Sequence, residues 1–121
     1  MLNYVSMGTN NKSESEAFYD QVFSEMGAKR AFENERGTFW SNGTGPMIGV
    51  MVPENGNDAT IGNGDMPALA AADREMVDRV YNKALELGAT CEGAPGERFE
   101  GFYAAYFRDA QGNKLAVTKM G

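Results

Sequence analysis

Met47, Gly49 and Met51 alternate with Ile48, Val50 and Val52, so a strand through them would gather thioethers on one face and β-branched groups on the other. Thioethers adapt their shape and contact aromatic rings through sulfur, which suits holding a flat or apolar molecule better than transforming one. Groups that transform are scarce. The 121 residues include no histidine, which removes the commonest metal ligand and the commonest acid or base at neutral pH. Cys91 is the single cysteine; with no histidine to activate it, a buried, inert thiol is expected. Arg98 follows Gly96-Glu97, and its forked guanidinium would suit either an anionic group or a salt bridge to a nearby glutamate. Asp109 reads as a turn cap. The stretch Gly93-Ala94-Pro95-Gly96 has neither a lysine nor a following helix, so it is no phosphate loop. Glu33, Glu35, Glu54 and Asp58 read as solvated surface.

The charge balance narrows the partners. A net charge of −6 with scattered Lys and Arg argues against nucleic acid and against an anionic membrane, and would favour a cationic small molecule. No apolar run approaches the roughly 18 residues of a membrane span, and the first residues lack a signal-peptide plan. One cysteine allows no internal disulfide, which fits a reducing cytoplasm. A soluble, cytoplasmic protein is expected. The 42 % hydrophobic content over this length suits one domain with a real core.

Positioning elements follow from periodicity and punctuation. A strand is predicted over 2–8, then a helix opened by Asn11 or Ser13, each with a glutamate three residues on (Glu14, Glu16). Phe18, Val22, Phe23 and Met26 recur at helical spacing and Gly27 ends the run. Strands are predicted over 28–33, 37–42 and 46–52, the last two joined through Asn42-Gly43, with the β-branched face packed on the helix. A linker is predicted near 53–63, rich in Gly, Asn and Asp. A strand over 64–70 precedes Asp73, which caps a helix carrying Val77, Val80, Tyr81, Ala84 and Leu87 up to Gly88. A short strand at 89–92, a loop at 93–96, a strand at 102–108, a turn at 109–112 and a last strand to Lys119 complete the chain.

The order is β-α-β-β-β, twice. Glu25-Met26-Gly27-Ala28 returns as Glu86-Leu87-Gly88-Ala89, 61 residues on, so the chain reads as one module written twice, modules 1–55 and 62–121 of a single domain, with a ligand groove expected between them. Phe18-Tyr19 followed by Gly27, then Gly93-Ala94-Pro95-Gly96-Glu97-Arg98, Phe102 to Asp109 and Gly112-Asn113-Lys114-Leu115 resemble the vicinal-oxygen-chelate superfamily of glyoxalases, bleomycin-resistance proteins and extradiol dioxygenases. The resemblance covers the whole chain. It implies an α+β fold in which the two modules form a curved mixed sheet.

In metal-dependent relatives a His, a second His and a Glu hold a divalent ion. Carried onto this chain, those positions fall on Tyr4, Met66 and Ala116, and a further ligand position of some relatives on Gly49. None is a useful donor for Zn, Ni, Fe or Mn, so no metal and no cofactor is expected, and glyoxalase or dioxygenase chemistry is not expected in its usual form. Alternation gathers Tyr4, Met47, Gly49, Met51, Met66 and Ala116 on the groove face, either as a wall for a small organic ligand, hydrophobic or cationic, or as filler of a vestigial site. Trp40, beside the turn, either stacks on a ligand or is buried in the core. On strand 102–108, either Tyr103 or Tyr106 faces the groove; Tyr103 is assigned to it. The resemblance further implies a homodimer. Two other functions stand open: an enzyme using displaced ligands such as Asp65, and a protein-docking module.

Overall fold

The computed structural model describes residues 1–121. The elements are β1 (Tyr4–Gly8), α1 (Lys12–Ser24), β2 (Lys29–Glu33), β3 (Gly37–Ser41) and β4 (Met47–Met51), then β5 (Ala68–Ala70), α2 (Arg74–Glu86), β6 (Thr90–Phe99), β7 (Phe102–Arg108) and β8 (Lys114–Met120). Two compact units result, Met1–Gly62 and Asn63–Gly121. Each carries a four-stranded sheet of the same plan, β1-β4-β3-β2 in the first and β5-β8-β7-β6 in the second. In both, the first strand pairs parallel with the last and the remaining pairs are antiparallel. The α+β class and the doubled β-α-β-β-β order are both present.

The repeated four-residue motif is a helix stop. Gly27 and Gly88 sit at φ 72° and 102°, a left-handed conformation that a residue with a Cβ adopts only at a cost of about 1 kcal/mol. That turn lets the Ala28 N–H reach back to the Phe23 carbonyl at 3.0 Å and the Ala89 N–H to the Ala84 carbonyl at 2.9 Å, satisfying groups the helix end would leave open. At the other end Asn11 caps α1, its side chain accepting from the Glu14 N–H, and Asp73 caps α2 by accepting from the Met76 N–H. Of the two N-caps offered by the sequence, Asn11 is used and Ser13 is not.

In the first unit Tyr19, Val22 and Phe23 of α1 are buried. The rings of Tyr19 and Phe23 stand 5.9 and 5.5 Å from Trp40 of β3. Tyr19 therefore takes the central place expected of Phe18, which is only half-buried. Ile48 lies opposite Trp40, and Val50 opposite Thr38, so the β-branched side of β4 faces α1 as alternation predicts. In the second unit α2 packs on β6, β7 and β8 through Val77, Val80, Tyr81 and Ala84.

Three boundaries differ from expectation. The residues 93–96 form no loop: β6 runs through them to Phe99, with register shifts at Cys91/Gly93 and Gly93/Gly96. Bulges absorb the irregular spacing, and Pro95 is tolerated because β6 is an edge strand with one side unpaired. The β3–β4 connection takes five residues, 42–46, where the predicted strands leave three, 43–45. Strand β5 starts only at Ala68, leaving Met66 outside it. The segment expected as linker lies largely in the first unit, where Asn10 accepts from the Ala59 N–H at 2.7 Å and donates to its carbonyl at 3.1 Å.

Candidate functional site

Strand register separates the two faces of each sheet. In the first sheet Tyr4, Ser6 and Gly8 lie beside Met47, Gly49 and Met51, and Gly49 and Met51 lie opposite Phe39 and Gly37. Phe32 lies opposite Phe39. This face points away from α1, because Trp40 and Thr38, their alternates on β3, point toward it. Its centre is an aromatic row. Tyr4 meets Phe39 edge-on at 5.2 Å and Phe32 meets Phe39 at 6.4 Å. Phe39 can lie across Gly49 only because that residue has no side chain: a Cβ there would run into the Phe39 ring and stand 2.5 Å from the Thr38 carbonyl oxygen. Tyr4 and Phe32 remain 57 % and 53 % exposed, so the row offers open aromatic surface.

On the second sheet the face away from α2 carries Ala68 and Ala70 beside Ala116 and Thr118, with Tyr106 opposite Ala116 and Gly93 opposite Tyr106. The Tyr106 ring has the Arg98 guanidinium 5.3 Å and the Lys114 ammonium 5.7 Å from its centre.

Several assigned residues stand elsewhere. Trp40 is 1 % exposed, under α1, with its indole N–H donating to Asp20 at 2.9 Å; it belongs to the core and not to an open face. Its neighbour in sequence, Phe39, takes the open side. Tyr103 likewise points to the helix side: its hydroxyl donates to Asp78 of α2 at 2.7 Å and Arg74 covers its ring at 4.9 Å. The hydrogen bond to Asp78 holds the Tyr103 phenol above its ordinary pKa. Tyr106, the other candidate on β7, is therefore the open-face tyrosine, and Tyr103 is not.

Arg98 makes no salt bridge to a glutamate. It donates to the carbonyls of Gly96 and Ala94 at 3.0 and 2.6 Å. Cys91 is exposed rather than buried. Asp109 does cap its turn, accepting from the Gln111 and Asn113 N–H groups.

The polar groups under the first sheet serve structure. Arg30 forms a forked pair with Asp20, at 2.9 and 2.8 Å. Those bonds, with that from Trp40, hold the Asp20 carboxyl below its ordinary pKa. Burial pushes Glu16 up, but hydrogen bonds from Thr38 and Lys12 and the charge of Arg30 outweigh it and leave Glu16 below its ordinary value.

The residues do not fit the metal of metal-dependent relatives. Register makes the Tyr4–Met47 pair of the first unit equivalent to the Ala68–Ala116 pair of the second. In each unit the bond entering the last strand is 3.0 Å, from the Met47 N–H to the Asn3 carbonyl and from the Ala116 N–H to the Pro67 carbonyl. The residue of the second unit equivalent to Tyr4 is thus Ala68 rather than Met66, and the residue of the first unit equivalent to Ala116 is Met47. In neither unit does the pair, a phenol beside a thioether in the first and two methyl groups in the second, supply donors for a divalent ion. No three Cys, Asp or Glu side chains stand together as a metal-holding group.

Likeness to known proteins decides the family. The model of the Glyoxalase/Bleomycin resistance protein/Dioxygenase superfamily matches residues 1–117. The chain belongs to this superfamily. A glyoxalase/bleomycin resistance protein from Albidiferax ferrireducens has a similar structure with TM-score 0.92 and 32 % identity, covering 100 % of this chain and 99 % of that one. A glyoxalase/bleomycin resistance protein/dioxygenase family enzyme from Burkholderia phytofirmans follows the same fold at TM-score 0.78 and 22 % identity, over 98 % of both chains. So does a glyoxalase-related enzyme from Fulvimarina pelagi, at TM-score 0.77 and 16 % identity over 98 % of this chain and 87 % of that one. No curated protein matches the chain. No helix is long and apolar enough to cross a membrane.

Proposed function

We propose that this member of the superfamily binds a small organic molecule without a metal ion, using the helix-free face of its first sheet. The observation that carries the reading is the aromatic row Tyr4–Phe39–Phe32 over Gly49. Its outer rings are exposed, its edge–face geometry fixes the rings, and Met47 and Met51 flank it along β4. Such a surface gains by covering a planar apolar body and loses nothing to desolvation of charge. The lack of donors at the positions equivalent to Tyr4 and Ala116 supports binding rather than glyoxalase or dioxygenase turnover.

The test is a titration with indole, a neutral planar probe, followed by NMR ring signals of Tyr4, Phe32 and Phe39. Saturable shifts at these rings, weakened at least about fivefold by Tyr4→Ala or by Met51→Glu, support the reading, since an unpaired carboxylate beside an apolar ligand costs several kcal/mol or must protonate. Absence of saturable binding sinks it. Elemental analysis finding about one tightly held Zn, Ni, Fe or Mn per chain would overturn the metal-free part.

A second reading, as a module that docks protein, is favoured by Phe99 and Met120, which are 66 % and 68 % exposed. Phe99 stacks on Phe102 at 4.8 Å, and Phe102 lies opposite Met120. Pairing of two copies through this patch would give the homodimer that the family resemblance implies.

A further inference from the structure

On the second sheet the charge pattern departs from that of the chain as a whole. Arg30, Arg74, Arg108, Lys12 and Lys83 each have a carboxylate within 2.6 to 3.7 Å. Arg98 and Lys114 have none, yet both stand against one ring, Tyr106. Lys29, Arg36 and Lys119 also lack a carboxylate, but no aromatic ring gathers them.

The arrangement is built. Gly93 makes room for it: a Cβ there would stand 2.9 Å from the Tyr106 ring and 3.1 Å from the Arg98 guanidinium. Two carbonyls of β6, of Ala94 and Gly96, accept from separate terminal nitrogens of Arg98 and so fix its plane while leaving Nε–H and further N–H groups undirected. Of the carboxylates around Arg98 in sequence, Glu97 is taken by Arg74 at 2.7 Å and Glu92 by Arg108 at 2.6 Å, and Glu100 forms no ion pair with Arg98. The Tyr106 hydroxyl donates to no group of the protein. Two unneutralised cations and a free phenolic donor on one face are the complement of an oxyanion. The net charge of −6 does not oppose this at short range, because salt screens exposed charges beyond roughly 8 Å.

We propose that Tyr106, Arg98 and Lys114 form a binding site for the oxyanion of a small organic acid, a carboxylate or a phosphate ester. The site reads the ligand's charge, where the aromatic row of the first sheet reads an apolar body, and the two proposals fail separately.

The experiment compares benzoate with its neutral isostere benzamide, and phenyl phosphate with both, by calorimetry and by NMR shifts of the Tyr106 ring. Benzoate or phenyl phosphate should bind saturably and at least about tenfold more tightly than benzamide, and added NaCl should erase that preference. Whichever anion binds more tightly names the source. Arg98→Gln and Lys114→Gln should each remove most of the preference and Tyr106→Phe a smaller part, while Arg36→Gln, an equally exposed arginine elsewhere, should change nothing. Arg36 and Arg98 are exposed and Tyr106 and Lys114 half-buried, and unaltered circular dichroism verifies folding of each variant. Equal binding of benzoate and benzamide, no binding of either anion, or an anion preference that survives in Arg98→Gln and Lys114→Gln overturns the site. Indole binding at Tyr4 and Phe39 would stand in each case.

Discussion

Asp20 ties α1 to both β2 and β3, since one carboxylate accepts from the Trp40 indole and from two nitrogens of the Arg30 guanidinium. Replacing it by Asn leaves the amide to serve one donor well and strands a buried indole N–H or loosens Arg30. A loss of about 1 to 2 kcal/mol is expected in urea denaturation, after discounting for the partial exposure of the ion pair. Asp20 and Glu16 both titrate below their ordinary values of 3.8 and 4.5 when folded. Their contribution is therefore complete above those unfolded values and is lost as pH falls through the lower folded ones. Stability should decline steeply below about pH 4.5, and Asp20→Asn with Glu16→Gln should flatten that decline; an unchanged acid limb would refute it. Gly49 makes a different prediction. Any Cβ collides with Phe39 and a backbone carbonyl, so Gly49→Ala should cost about 1 to 3 kcal/mol by overpacking and broaden the Tyr4 and Phe39 ring signals.

At the scale of elements, both helices are bounded by local chemistry, which makes their ends separable from packing. Asn11→Ala and Asp73→Ala each remove the capping acceptor of a first-turn N–H and should each lower stability by about 1 kcal/mol. Because the caps lie in different units, the double variant should lose close to the sum of the two, provided unfolding remains a single transition; a large departure would show the caps to be coupled. In β6 the expectation concerns shape rather than helix ends. Gly93→Ala should displace the Tyr106 ring and the Arg98 fork that share its space, visible as a changed Tyr106 environment by NMR with little change in helix content. An unmoved Tyr106 ring would mean that Gly93 is not what seats it.

For the whole molecule, the doubled plan gives two sheets of identical order whose helix-free faces differ in chemistry, aromatic in one and cationic in the other. A divalent metal is expected to have no purchase on either. A chelator should therefore leave the melting temperature unchanged, and a fall of several degrees would reveal a stabilising ion. Light scattering at micromolar concentration should give twice the chain mass if the exposed Phe99–Met120 patch pairs, and Phe99→Glu should return the monomer; a wild-type monomer excludes that interface.

Class, helix positions and the two-module plan were legible in the chain because they rest on local physics: apolar spacing, Asn11 and Asp73 as acceptors, and Gly27 and Gly88 as helix stops. The family was legible for the same reason, since its marks are runs such as Phe18-Tyr19 and Gly112-Asn113 that need no partner to be read. Side-chain direction was not. Alternation puts Tyr103 and Tyr106, three positions apart, on opposite faces of the strand, but nothing local says which face meets α2. Trp40 and Phe39 pose the same question, and only packing of α1 answers it, by drawing the larger ring and its N–H toward Asp20. Register also decided that Ala68, not Met66, pairs with Ala116, because where a parallel strand begins depends on its neighbour's hydrogen bonds and not on its own composition. The gathering of Arg98 and Lys114 on one ring depends on the β6–β7 and β7–β8 pairings together, so no reading of the chain alone could find it.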